Sequence, residues 1–99
     1  DTVRRTGGAM GHVGDKEIVE GIRLLAETEG LFAETAGGVT VATLRQLLSA
    51  GLVDPAAETV LYNTGDGLKT LDAVAGEVGP TATITPSYDA FVKSGLGSE

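Results

Sequence analysis

Residues 29–48, EGLFAETAGGVTVATLRQLL, and residues 58–69, ETVLYNTGDGLK, decide the fold of this chain. The run 31–33 is short and apolar, which is typical of a buried strand. A helical pattern follows over 36–50, and 59–63 is β-branched and apolar between turn residues. Strand, helix and strand in this order predict a right-handed crossover between parallel strands. Two strands cannot form such a sheet alone, so we expect an incomplete part of a doubly wound parallel α/β sheet.

The segments on either side of this unit are predicted from local patterns. Apolar residues recur at helical spacing over 16–29, with Asp15 as the expected N-cap and Gly30 at the end. Residues 1–14 contain four glycines and are expected to form a loop. The central helix is expected to have Thr35 as its cap and to end at Gly51. A short helix with Leu68, Leu71 and Val74 is expected to stop near Gly76, and residues 81–85 are expected to be extended. A last helix is expected to start at Pro86-Ser87 and to carry Tyr88, Phe91 and Val92.

Composition excludes several classes of function. The chain has 99 residues, no cysteine and a formal net charge of −7, so it has neither a disulfide framework nor a thiolate zinc site. Its seven basic residues are scattered, and we expect no nucleic-acid partner. No apolar run approaches the ~20 residues of a membrane span. With only two phenylalanines and two tyrosines, the core is expected to need neighbouring protein to cover it. The start at Asp1 also favours a segment of a longer protein.

Two polar residues directly follow the predicted strands. Glu34 comes after the first strand and Thr64 after the second. Because ligands bind beyond the carboxyl ends of strands in open α/β sheets, both residues are predicted to lie at one rim. Glycines at 37–38 and at both ends of 65–67 would let a ligand approach the backbone closely. Each of these residues also has a purely structural interpretation. The glycines at 37–38 would permit close helix–sheet packing, and those at 65–67 would form an ordinary turn. The Thr64 hydroxyl would bond backbone groups, and the Glu34 carboxylate would interact with the helix dipole.

The remaining candidate residues carry weaker signals. His12 is the only histidine, and a lone histidine in a loop is most often a surface residue. The stretch 65–70, GDGLKT, lacks the GxxxxGK[ST] spacing of a phosphate loop. Lys69 is therefore interpreted as a solvated residue at a helix start, with contact to an anion as the alternative.

The motifs EGxFAExAG and TGxGLK, at this separation, resemble those of the threonine synthases. These enzymes belong to the pyridoxal-phosphate enzymes with the tryptophan-synthase-β fold. The resemblance runs from about residue 1 to residue 92, and TLDAVAGEVGPTATITPSYDAF (70–91) narrows it to threonine synthase. It implies that residues 1–99 are a C-terminal segment of the catalytic domain. The implied reaction converts O-phospho-L-homoserine and water to L-threonine and phosphate, with pyridoxal 5'-phosphate as cofactor.

The resemblance also implies roles for individual residues. Thr64, at the start of the TGxG motif beside Gly65, would hydrogen-bond the pyridine nitrogen of the cofactor, and Glu34 would lie near its ring. Two departures are Thr35, where many relatives have proline, and Asp66, where asparagine or histidine is common; Asp66 is expected to face solvent. The family's Schiff-base lysine lies in its N-terminal half, so we expect no catalytic residue here and no activity from the isolated chain. No metal site is predicted.

The expected partners follow from the same resemblance. They are the N-terminal remainder of the enzyme, the small-molecule substrate and, for the complete cytoplasmic enzyme, further copies in a homo-oligomer. Two alternatives stay open. One is a related pyridoxal-phosphate enzyme, such as a serine or threonine dehydratase. The other is a non-catalytic binding or assembly module that uses this piece of the fold.

Overall fold

Helices and irregular segments make up the computed structural model, which describes residues 1–96. The described helices are α1 (Thr2–Arg5), α2 (Asp15–Glu29), α3 (Thr35–Ser49), a 3₁₀ helix (Gly67–Val74) and α4 (Tyr88–Ser94). All four helices predicted from the sequence are present, and the two with predicted bounds, 16–29 and 36–50, agree with α2 and α3 to within one residue at each end. The third is a 3₁₀ helix that ends at Val74, two residues before the predicted Gly76. Helix α1 lies within the stretch expected to be a loop, so that prediction is wrong for its first turn.

Local capping fixes the ends of the two long helices. Gly14, not Asp15, is the N-cap of α2, because Asp15 already has helical geometry. The Glu17 carboxylate accepts a 2.7 Å hydrogen bond from the backbone N–H of Gly14, which satisfies one donor at the helix start. Gly30 ends α2 in the left-handed region with φ 67°, as predicted. In α3 the N-cap is Glu34 rather than Thr35.

Helices α2 and α3 pack closely through two glycines. A Cβ on Gly21 would lie 2.5 Å from the carbonyl oxygen of Gly38, and a Cβ on Gly38 would lie 2.5 Å from the carbonyl oxygen of Ile18. The two backbones can approach this closely only because neither glycine carries a side chain. The buried apolar residues around and beyond this contact are Ile22, Ala33, Val41, Ala42 and Val74.

Neither predicted strand is formed in residues 1–96. Residues 31–33 contribute a single antiparallel bridge, between Ala33 and Asp66, and 59–63 is irregular and exposed. Val60 and Tyr62 are 75% and 80% exposed. A strand needs a neighbour that pairs with its backbone, and the described chain offers 59–63 none. The parallel crossover is therefore absent, and the one bridge that joins the two motifs runs antiparallel. The stretch 81–85 also forms no strand.

The chain is extended and has little core. Its radius of gyration is 18.2 Å, whereas a compact domain of this length has one of about 13 Å. Many large apolar side chains are exposed, among them Leu68, Tyr88 and Val92. Within residues 1–96, no helix has both the length and the apolar character needed to cross a bilayer.

Candidate functional site

An antiparallel contact between residues 32–34 and 65–67 forms the centre of the candidate site. The backbone N–H of Glu34 donates to the carbonyl oxygen of Gly65 at 3.1 Å, and the N–H of Gly67 donates to the carbonyl oxygen of Phe32 at 2.9 Å. These two bonds flank the bridge between Ala33 and Asp66. The segment before α3 and the segment before the 3₁₀ helix are thus joined through their backbones.

The two glycines of the TGDG loop make room for side chains from the facing segment. A Cβ on Gly65 would overlap the carboxylate of Glu34. A Cβ on Gly67 would lie 2.6 Å from the ring of Phe32. Gly65 and Gly67 are alternate residues, and so are Phe32 and Glu34, so each glycine accepts one side chain of the opposing segment. These glycines therefore have a packing role within the chain itself.

The Glu34 carboxylate is largely covered and has one cationic neighbour. Its side chain is 17% exposed, and the ammonium nitrogen of Lys69 lies 3.9 Å from its Oε2. Glu34 is also the N-cap of α3, where a negative charge interacts favourably with the helix dipole. In the described part of the chain no hydrogen bond reaches its carboxylate oxygens. Lys69 thus contacts a carboxylate of its own chain, as well as being 61% exposed to solvent.

Thr64 lies next to Gly65 and is exposed. Within residues 1–96 its hydroxyl has no hydrogen-bond partner, so the alternative in which it satisfies backbone groups is not observed. Because the Glu34 carboxylate lies against Gly65, the positions of Glu34 and Thr64 are close together. An antiparallel bridge, rather than the edge of a parallel sheet, brings them there. Their roles in binding a cofactor stay predictions.

Side-chain capping orients the 3₁₀ helix that follows. The Asp66 carboxylate accepts a 2.8 Å hydrogen bond from the N–H of Leu68, and Asp66 is exposed, as expected from the sequence. The hydroxyl oxygen of Thr70 accepts a 3.1 Å hydrogen bond from the N–H of Thr35 in a half-buried position. No pattern in the sequence had pointed to Thr70. The available signal was Thr35 itself, since a residue other than proline at this position has an N–H that needs an acceptor.

The other candidates separate into packing and surface positions. Gly38 contacts α2, which supports close packing as its role, although its partner is a helix rather than a sheet. A Cβ on Gly37 would lie 2.7 Å from the side-chain oxygen of Asn63. His12 is exposed, and its carbonyl oxygen accepts a 3.0 Å hydrogen bond from the Gln46 amide. The described residues contain no cluster of three or more metal-binding side chains.

Comparison with known proteins identifies the class to which the chain belongs. The family model described as "Pyridoxal-phosphate dependent enzyme" matches residues 1–65, which include α2, α3 and the start of the TGDG loop. This chain belongs to the pyridoxal-phosphate dependent enzyme family. The family uses pyridoxal phosphate as its cofactor.

The curated proteins similar to this chain include several threonine synthases. The threonine synthase of Methanocaldococcus jannaschii is 42% identical over 73 residues, which cover 74% of this chain and 18% of that protein. The threonine synthase of Synechocystis sp. is 38% identical over 93 residues (92% of this chain, 24% of that protein). The threonine synthase of Halalkalibacterium halodurans is 29% identical over 87 residues (88% of this chain, 25% of that protein). The chain thus spans 18–25% of the length of these relatives.

Proposed function

We propose that this chain is the C-terminal segment of a cytoplasmic threonine synthase, which converts O-phospho-L-homoserine and water to L-threonine and phosphate. The observation that carries the proposal is the contact between Glu34 and Gly65, which brings the EGLFAETAGG and TGDGLK motifs together. The threonine synthases to which the chain is similar support the choice of reaction. The specific substrate is taken from the resemblance of residues 70–91.

The donor chemistry of Thr64 fits the cofactor. A hydroxyl without a partner in the described chain can donate to the unprotonated nitrogen of a pyridine ring. A carboxylate at this position would instead raise the pKa of that nitrogen and keep it protonated. Pyridoxal phosphate, when bound, supplies an electron sink for negative charge that develops on a substrate carbon. Thr64 moderates this sink while it orients the ring, which favours elimination and replacement over transamination.

Glu34 and Gly65 complete the proposed cofactor-binding set. Gly65 lets the carboxylate of Glu34 lie against the loop that carries Thr64. The ion pair with Lys69 balances the charge of this carboxylate. The chain therefore supplies the hydroxyl donor of Thr64 and, close to it, the carboxylate of Glu34, whose charge Lys69 balances. The lysine that holds the cofactor covalently would come from the remainder of the enzyme.

The exposed apolar surface supports a role as part of a larger enzyme. Residues 59–63 are exposed and irregular, and their backbone groups have no partner in the described chain. We propose that the remainder of the enzyme supplies neighbouring strands, so that 31–33 and 59–63 join a doubly wound parallel sheet. The complete enzyme, rather than this chain alone, is proposed to form the homo-oligomer. A free-standing binding module would leave this surface uncovered, so the enzyme segment is favoured.

Substitution of Thr64 in the complete enzyme tests this proposal. Thr64→Ala removes the donor, and we expect a shifted absorbance spectrum of the bound cofactor and a loss in kcat of about 10-fold or more. Thr64→Ser keeps a hydroxyl and is expected to retain most of both. Unchanged spectrum and kinetics in Thr64→Ala would refute the role of this residue.

A substrate comparison separates threonine synthase from a dehydratase. The complete enzyme is expected to release phosphate from O-phospho-L-homoserine and to form L-threonine in equal amount. Ammonia release from L-serine or L-threonine, with no turnover of O-phospho-L-homoserine, would favour the dehydratase. Absence of cofactor binding and of turnover would favour the binding module.

A further inference from the structure

We infer that Lys69 is a positioning residue that holds the Glu34 carboxylate against Gly65 and so keeps the hydroxyl of Thr64 available as a donor. This inference rests on the proposed function of Thr64, and it extends the role of Lys69 from balancing the charge of Glu34 to positioning its carboxylate. It concerns a competition between two acceptors, the Glu34 carboxylate and the cofactor nitrogen, for one hydroxyl hydrogen.

Lys69 is the cationic neighbour of the Glu34 carboxylate. Among the ion pairs of the described chain, Lys69 is the one cation within 4.0 Å of the Glu34 carboxylate. The Glu34 side chain is 17% exposed, so water screens its charge less than that of a fully exposed glutamate, and a neighbouring ammonium group stabilises it more. No hydrogen bond in residues 1–96 fixes the carboxylate oxygens by another route.

The backbone that carries Lys69 is held in place on both sides. Asp66 caps the start of the 3₁₀ helix through the N–H of Leu68. Thr70, the next residue after Lys69, bonds the N–H of Thr35, the next residue after Glu34. The lysine and the glutamate therefore emerge from backbone segments that are joined directly beside them. Their separation does not depend on a flexible loop.

In this inference, a carboxylate released from Lys69 competes with the cofactor for the hydroxyl hydrogen of Thr64. Glu34 lies against Gly65, the residue adjacent to Thr64, yet the Thr64 hydroxyl makes no hydrogen bond with it. An ionised carboxylate is a stronger acceptor than a neutral ring nitrogen, because charge-assisted hydrogen bonds are the stronger class. Without Lys69 the carboxylate can turn toward Thr64 and accept its hydrogen. The hydroxyl is then lost to the cofactor.

A set of matched variants of the complete enzyme tests this role. Lys69→Met removes the charge, Lys69→Arg retains it, and Lys16→Met is the control. Lys16 also lies 3.9 Å from a glutamate, Glu20, but on the exposed face of α2. The readouts are the absorbance spectrum of the bound cofactor and the Kd for pyridoxal phosphate from fluorescence titration. We expect Lys69→Met to shift the spectrum toward that of Thr64→Ala and to raise the Kd about threefold.

Lys69→Arg and Lys16→Met are expected to match the unmodified enzyme. The double variant Lys69→Met with Thr64→Ala is expected to have the spectrum of Thr64→Ala alone, because without the hydroxyl there is no hydrogen for the carboxylate to accept. A Lys69→Met enzyme that behaves like Lys16→Met overturns the inference, as does a double variant in which the two spectral changes add.

The result for Thr64 separates the two proposals. If Thr64→Ala alters the spectrum and Lys69→Met does not, the role of Lys69 is wrong and the proposed function stands. If Thr64→Ala leaves the spectrum unchanged, the proposed role of Thr64 itself is wrong, and the inference about Lys69 is overturned with it.

Discussion

The N–H of Thr35 donates to the side-chain oxygen of Thr70 across 3.1 Å, and these residues are 35 positions apart in the sequence. The bond joins the first turn of α3 to the 3₁₀ helix in a half-buried position. Proline at position 35 would have no N–H to donate, so this connection requires a residue other than proline there.

Thr70→Val is expected to destabilise the chain by about 1–3 kcal/mol, because the half-buried N–H of Thr35 loses its acceptor. Urea unfolding followed by far-ultraviolet circular dichroism measures the change. Thr28→Val is the matched control, since the Thr28 hydroxyl only bonds a carbonyl oxygen within its own exposed helix. We expect its effect to stay within about 0.5 kcal/mol. Equal effects of the two substitutions would contradict a special role for Thr70.

Gly38→Ala is expected to lower the free energy of unfolding by about 1–3 kcal/mol, although alanine is the better helix former. The new Cβ would lie 2.5 Å from the backbone oxygen of Ile18, so α2 and α3 must separate. Gly79→Ala is the control, because a Cβ there has no atom within 4 Å. Thermal unfolding of both variants measures the difference. A Gly38→Ala chain as stable as Gly79→Ala would show that the helices do not pack as described.

Gly65→Ala is expected to displace the Glu34 carboxylate, because the added Cβ would overlap it. In the complete enzyme we expect cofactor affinity to fall about 10-fold, the equivalent of ~1.4 kcal/mol. Adding Glu34→Ala relieves the overlap, so the double variant is expected to regain stability toward unfolding without regaining full cofactor affinity. Additive losses of stability would mean that the two residues do not contact one another.

Asp66→Ala is expected to cost about 0.5–2 kcal/mol, because the 3₁₀ helix loses the acceptor for the N–H of Leu68. Asp66→Asn keeps a side-chain oxygen in the same position and is expected to retain most of the stability. Hydrogen exchange of the Leu68 amide measures the local effect. If the Leu68 amide hydrogen exchanged as slowly in Asp66→Ala as in Asp66→Asn, the capping role of the Asp66 side chain would be contradicted.

How far the sequence predicted the structure depends on the range of the interactions. Helices α2, α3 and α4 and the 3₁₀ helix were predictable because spacing and capping residues act within a few positions. Residues 59–63 have the composition of a strand, but strand formation depends on neighbours that the described chain does not provide. The same limit applies to the partners of Thr35 and Gly21, which lie far away in sequence.

The candidate site was partly predictable. The positions after the two apolar runs identified Glu34 and Thr64 as neighbours, and the contact between Glu34 and Gly65 brings these segments together. The predicted parallel pairing of 31–33 with 59–63 is not confirmed in residues 1–96, and the bridge that joins the two motifs, between Ala33 and Asp66, is antiparallel. The ion pair with Lys69 could not be predicted, since it depends on the side-chain positions that this pairing creates.

The exposed segment 59–63 has a practical consequence for handling the protein. It carries Val60, Leu61 and Tyr62 in water, and none of its backbone groups is paired within residues 1–96. Such a segment is a template for intermolecular β-pairing, and aggregation from concentrated solution is therefore expected whenever the chain is produced by itself. Co-expression with the polypeptide that covers this segment is the rational way to obtain stable material.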